Sequence, residues 1–139
     1  MTFSKLTPNF SVRNVKESVA FYRDILGFDL DIAVPGGTSS IENEVLQNKE
    51  YSAAMVKKDG VYIMFIERDE FERGAQAFKS DAQGASVLFY VDVSGIDELY
   101  SELKEKVEIV SDIKTKWYGM REFYIKDCDG YVLAFGEKE

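Results

Sequence analysis

The chain has 139 residues, 17 Lys+Arg against 25 Asp+Glu, a formal net charge of −8, no histidine and a single cysteine, Cys128. That length is most simply one domain able to bury a core, and 14% aromatic content marks a folded chain. The composition excludes an intramolecular disulfide framework, Cys-rich zinc sites, a histidine base and any imidazole-held metal, which leaves oxygen-ligated ions such as Mg²⁺ or Ca²⁺.

In chain order, the N-terminal MTFSKLTPNF has no apolar run of signal-peptide length. Phe10-Ser11-Val12 reads as a strand leading into a helix. Asn14 caps that helix, with Glu17 three positions on to complete a capping box. Val15, Val19, Tyr22 and Leu26 keep the helical spacing of three or four, and Gly27 ends the helix as a left-handed residue. Phe28 to Val34 is extended, and Val34 to Glu50 is an irregular loop through Pro35-Gly36-Gly37. A hairpin follows: Tyr51 to Val56, a turn at Lys57-Lys58-Asp59-Gly60, then Val61 to Glu67. Arg68 to Gly84 is polar and reads as a linker, with a helical turn expected around Ala75-Gln76-Ala77-Phe78.

The second half repeats the first. Phe89-Tyr90-Val91 leads into a helix that Ser94 is expected to cap, with Asp97 three positions on and apolar residues at Ile96, Leu99, Leu103 and Val107. An extended run from Val107 to Ile113 precedes a hairpin of Arg121 to Lys126 and Tyr131 to Glu137 around Asp127-Cys128-Asp129-Gly130. The leading strands superimpose at an offset of 91 − 12 = 79 and the hairpins at 129 − 59 = 70. The chain is therefore expected to be α+β: a single domain, residues 1–139, of two tandem βαβββ modules, about 5–67 and 85–137, joined by a linker of about 68–84. Each module hides one sheet face under its helix and must find a partner for the other. Pairing those faces, within a chain or across a dimer, leaves a curved trough.

This organisation, with Val12-Arg13-Asn14-Val15, Phe21-Tyr22-Arg23-Asp24-Ile25-Leu26-Gly27-Phe28 and Asp127-Cys128-Asp129-Gly130-Tyr131, resembles the vicinal oxygen chelate superfamily. That superfamily includes glyoxalase I, extradiol dioxygenases, fosfomycin-resistance enzymes and bleomycin-resistance proteins. Pro8-Asn9-Phe10-Ser11-Val12-Arg13, Asp97-Glu98-Leu99-Tyr100 and Trp117-Tyr118-Gly119-Met120-Arg121-Glu122-Phe123 are more similar to the bleomycin-resistance branch. The resemblance implies a metal held by two residues from each module, at the positions of Thr7, Met64, Ser86 and Ala134 here. Thr, Met, Ser and Ala lack the anionic oxygen or imidazole donors that a divalent ion requires, so no metal and no other cofactor is expected.

Strand alternation turns Asn9, Ser11, Tyr62, Met64, Ile66, Leu88, Tyr90 and Ala134 toward the trough. With Trp117 and Tyr118 from a polar loop, Asn9, Ser11, Tyr62, Met64, Leu88, Tyr90 and Ala134 form the candidate ligand-binding set. Tyr62, Met64 and Tyr90 could equally fill the interface between paired sheets. Arg121 and Glu122 are expected to form a structural ion pair, and Cys128 to be a tolerated turn residue.

The acidic balance opposes nucleic-acid binding and reads first as a solubilising surface, with attraction of a cationic ligand as the alternative, and no stretch approaches the ~18 apolar residues of a membrane span. Lacking such a span or a signal-type run, the chain is expected to be cytoplasmic; the residues at the ligand positions make it metal-independent, and the branch resemblance implies a homodimeric small-molecule-binding protein that sequesters a cationic, aromatic ligand of the bleomycin type. The alternative is a lyase or dioxygenase-type enzyme, or a metal-free isomerase or hydrolase using Tyr62, Tyr90 or Glu122 as the acid–base group.

Overall fold

The computed structural model describes residues 1–2, 4–74 and 87–139. The chain divides into two compact units, Met1–Asp81 and Ala82–Glu139. The expected helical turn at 75–78 and the position of Ser86 lie outside the described residues.

The first unit runs β1 (Asn9–Val12), α1 (Val15–Ala20), β2 (Asp29–Pro35), β3 (Tyr51–Lys58), β4 (Val61–Glu67) and α2 (Arg68–Gly74). Its sheet has the order β1-β4-β3-β2, with β1 parallel to β4 and the other pairs antiparallel. Asn14 caps α1 by accepting from the Glu17 backbone N–H at 3.0 Å, as its position predicts. The helix then loosens into a π-helical turn, Phe21–Ile25, before Gly27 reverses the chain at φ 78°. This widened turn carries Tyr22, fully buried, onto Phe65 and Phe28 with ring centroids 5.0 and 5.4 Å apart. Phe10, Val12, Ala54, Val56, Ile63 and Phe65 make the covered face of the sheet. Burying each large apolar side chain contributes about 1.5–3 kcal/mol. The expected linker opens with α2, whose Glu70 and Arg73 pair at 2.8 Å.

The second unit repeats the plan: β5 (Leu88–Asp92), α3 (Ile96–Leu103), β6 (Glu108–Thr115), β7 (Met120–Lys126) and β8 (Val132–Lys138), in the sheet order β5-β8-β7-β6. Phe123, Ile125, Leu133 and Phe135 are buried, and Tyr100 of α3 packs edge-on to Phe123 at 5.1 Å. The cap of α3 differs from expectation. Its N-cap is Gly95 at φ 77°, without a side-chain bond, and Ser94 stands one residue outside. The Glu137 carboxylate of β8 takes over instead, accepting from the Gly95 and Ile96 backbone N–H groups at 3.1 Å each. A β8 side chain thus satisfies donors that the helix leaves orphaned.

The repeat is exact in plan and offset in register. The two helices start 96 − 15 = 81 residues apart, and Asn9 lies beside Met64 as Tyr90 lies beside Ala134, so 90 − 9 = 81 while 134 − 64 = 70. The leading-strand offset is therefore 81, two more than the apolar pattern gave; an even slip keeps every side chain on its expected face. On β3 and β7 the offset is 122 − 53 = 69, because Ala53 pairs with Ile66 and Glu122 with Gly136. The second hairpin loop is one residue longer on that count. The first closes on the two residues Asp59-Gly60 with Asp59 at φ 52°. In the second, Asp127 Oδ1 accepts from the Asp129 and Tyr131 backbone N–H groups at 2.8 and 2.9 Å, and Gly130 takes φ 90°.

Candidate functional site: a buried carboxylate under tyrosines

Adjacent residues on a strand point to opposite faces, so Arg121 and Glu122 of β7 separate. Arg121 turns to the α3 side and forms a two-oxygen bond with Asp97, Nη2 to Oδ1 at 2.8 Å and Nε to Oδ2 at 3.2 Å. The expected Arg121–Glu122 ion pair is thus replaced by Arg121–Asp97. Glu122 points to the face away from α3, together with Tyr124, Tyr90, Ala134 and Gly136.

That face is built around the absence of a side chain at Gly136. A Cβ there would stand 2.0 Å from the Tyr90 hydroxyl oxygen and 2.6 Å from Cζ. The bare backbone lets the Tyr90 phenol cross β8 and donate to Glu122 Oε2 at 2.7 Å. From the other side, the turn between β6 and β7 is closed by the Gly119 N–H on the Lys116 carbonyl, with Gly119 at φ 85°. It returns Tyr118 to donate to Glu122 Oε1 at 2.5 Å. Tyr124 adds a longer bond to the same oxygen at 3.4 Å. Glu122 is 1% exposed, whereas Tyr90 and Tyr118 are 41% and 48% exposed. Trp117, 94% exposed, stands edge-on to Tyr118 with centroids 5.3 Å apart.

The charges follow from these contacts. Burial acts to raise the Glu122 pKa, but the hydroxyls of Tyr118 and Tyr90, the Lys116 charge and Tyr124 outweigh it and hold the carboxyl below its ordinary value. Tyr118 is pushed up to about 12, first by its hydrogen bond to Glu122 and then by desolvation. Tyr90 is raised further, by desolvation and then by Glu122. At neutral pH this is one buried anion fenced by neutral phenols. Both kinds of group are moved away from neutrality, the reverse of the tuning that proton transfer at pH 7 favours.

The other predicted residues fall as follows. Leu88 is exposed beside Val132, and Ala134 is fully buried between its strand neighbours Tyr90 and Tyr124. In the first unit Asn9 is exposed and donates to the Thr7 carbonyl at 2.8 Å, while Met64 and Ser11 are half-buried. Tyr62 lies under the Lys5 ammonium, 3.9 Å from the ring centroid. The first unit also carries a cleft of about 240 Å³ lined by Arg13, Glu50, Glu67, Glu70 and Arg73. Its charges are engaged locally: Glu50 by Lys16 at 3.2 Å, Glu70 by Arg73, and Glu67 by the Asp69 N–H at 2.9 Å.

Glu122 is the residue whose expected partner the structure changes, from Arg121 to Tyr90 and Tyr118. Strict alternation along Arg121-Glu122-Phe123-Tyr124 was the signal that separates it from Arg121.

A family-type metal does not fit the donors present. Thr7 offers one hydroxyl, Met64 a thioether and Ala134 a methyl group. The offset of 81 carries Thr7 onto Leu88, which offers no donor either. Among the described residues, no three His, Cys, Asp or Glu side chains are grouped so as to hold an ion. No described helix is long and apolar enough to cross a membrane.

Residues 7–135 match the model of the Glyoxalase/Bleomycin resistance protein/Dioxygenase superfamily, and the chain belongs to that superfamily. Solved structures share the fold at low identity. A protein of unknown function from Agrobacterium tumefaciens str. C58 is 22% identical with a TM-score of 0.73, covering 100% of this chain and 97% of its own. The bleomycin-binding protein from bleomycin-producing Streptomyces verticillus, complexed with copper(II)-bleomycin, is 18% identical with a TM-score of 0.64 over 100% and 99%. A lactoylglutathione lyase from Agrobacterium tumefaciens is 17% identical with a TM-score of 0.63 over 96% and 92%. No curated protein matches the chain significantly in sequence.

Proposed function

We propose that the protein is a metal-independent small-molecule-binding member of its superfamily, taking a cationic, aromatic ligand of the bleomycin type on the face that carries Tyr90, Trp117 and Tyr118, with Leu88 beside them. The observation that carries this reading is the buried Glu122 carboxylate beneath half-exposed phenols, beside a Trp117 ring that is almost wholly exposed. Such a surface offers stacking area and negative potential together. The lowered Glu122 and raised tyrosines favour holding charge over moving protons, which supports binding over acid–base turnover. The bleomycin complex of a structural relative supports the ligand class.

Asn9, Ser11, Tyr62 and Met64 are proposed as ligand contacts on the first unit's own sheet, and Ala134 as the floor beneath Tyr90 on the second. The reading includes a cytoplasmic homodimer.

Calorimetry with a bleomycin-class ligand tests it. Stoichiometric binding is expected, with Trp117→Ala weakening affinity by about 1 kcal/mol, the typical worth of one aromatic stack. No heat and no shift in Tm with such ligands would overturn the ligand assignment. Stoichiometric Ni, Zn, Mn or Fe in the purified protein would overturn metal independence and favour the lyase or dioxygenase alternative.

A further inference from the structure

We propose, building on that binding reading, that the phenol oxygens of Tyr90 and Tyr118 are paired acceptors for an N–H-bearing cation of the ligand, a primary ammonium, amidinium or guanidinium group, with Gly136 and Glu122 as the residues that position them. The buried Glu122 is not itself open to a ligand, yet both of its oxygens are engaged by hydroxyls whose rings reach the surface. A phenol has one proton to donate and lone pairs to accept with. Tyr90 and Tyr118 have each spent that proton on the carboxylate, so any further hydrogen bond at their oxygens can only be accepted. Hydrogen bonds in series polarise one another, and donation to an anion leaves the phenol oxygen richer in electron density. The negative charge is therefore relayed to the two phenol oxygens as directed acceptors.

Such a pair reads donors as well as charge. A quaternary ammonium satisfies the ring faces by cation–π attraction but brings no N–H to the oxygens. An anion meets lone pairs and a buried carboxylate. Discrimination of this kind is a difference in affinities that depends on the acceptors being held in place. Gly136 provides that, since any Cβ at 136 occupies the volume of the Tyr90 hydroxyl. The first module has no counterpart: the register places Asn9, Ala53 and Ile66 where the second has Tyr90, Glu122 and Gly136.

Three probes sharing one ring separate these contributions: naphthylmethylammonium, naphthylmethyl-trimethylammonium and naphthoate, titrated into the full chain and followed by the fluorescence of Trp117. The primary ammonium should bind about tenfold tighter than its trimethyl analogue, the scale of a charge-assisted hydrogen bond, and naphthoate weakest. Tyr118→Phe and Tyr90→Phe should each reduce that selectivity to about twofold or less while the trimethyl probe changes little, and Glu122→Gln should reduce it likewise while weakening both cations. Gly136→Ala should match Tyr90→Phe. Tyr118→Phe removes only the hydroxyl of a half-exposed residue, so it stays informative if Glu122→Gln unfolds.

Equal affinity for the two cations, or selectivity that survives both Phe variants, overturns the inference. If a bleomycin-class ligand still binds in that case, the proposed function stands without it. Selectivity for the primary ammonium without bleomycin binding sinks the drug class alone, and binding of neither overturns both.

Discussion

A carboxylate with almost no solvent contact is stable only if its lone pairs are filled, and at Glu122 three hydroxyls do this. Glu122→Ala should destabilise the fold by about 1–3 kcal/mol, because it leaves the phenols without their acceptor, whereas Glu122→Gln keeps an acceptor and costs less. Chemical denaturation of the two variants measures the difference. The pH dependence has a definite sign. Glu122 is held below its ordinary value in the folded chain, so its stabilisation is complete above the usual carboxylate range and is lost as pH falls through the lower folded value. The stability gap between wild type and Glu122→Gln should therefore close on acidification. Tyr118 works at the other end. Raised to about 12, it adds stability that is complete below an ordinary tyrosine's titration near 10 and is lost as pH rises through about 12. Ultraviolet phenolate titration should show Tyr118, and to a lesser degree Tyr90, moving back toward the ordinary value in Glu122→Gln.

At the scale of elements, two helices in equivalent places are capped by different means. Asn14 caps α1 from its own chain position, while α3 borrows Glu137 from β8. Glu137→Ala should cost about 1 kcal/mol, similar to Asn14→Ala, and should also loosen the end of β8. Amide hydrogen exchange at Gly95 and Ile96 would show the loss locally. The duplicated plan was legible because it is written in local terms: capping residues, helical spacing and two Asp-Gly turns. Glu137 was not legible as a cap, since it lies 41 residues from Ile96 and only the sheet brings them together. Ser94 misled because Asn14 has a side-chain cap and the two halves are otherwise alike. The site was half legible. Tyr90, Trp117 and Tyr118 stood out as aromatics on polar or alternating stretches. Glu122 and Gly136 did not, because their roles depend on a cross-strand register, and a glycine leaves no pattern in a hydrophobic alternation. The π-helical turn at Phe21–Ile25 is likewise a tertiary compromise that seats Tyr22 and leaves the sequence spacing unchanged.

For the molecule as a whole, a net charge of −8 acts at a distance, whatever the contacts at the site. The Debye length shrinks from about 30 Å at 0.01 M salt to about 8 Å at physiological ionic strength, so steering of a cation is screened over that range. Stopped-flow binding of a cationic ligand should show the association rate falling several-fold, roughly up to tenfold, with the dissociation rate nearly constant. A ligand of zero net charge should show neither trend.

The space over Gly136 also has a genetic consequence. Glycine codons begin GG, and every amino-acid-changing single-base substitution in them introduces a residue with a β-carbon. Each would therefore displace Tyr90, whose hydroxyl lies 2.0 Å from where that carbon would sit. Random mutagenesis should find position 136 intolerant in a binding selection, even where the folded chain survives. A drifting copy of this gene has no graded route away from the tyrosine pair at that codon; it keeps the glycine or moves Tyr90 in one step.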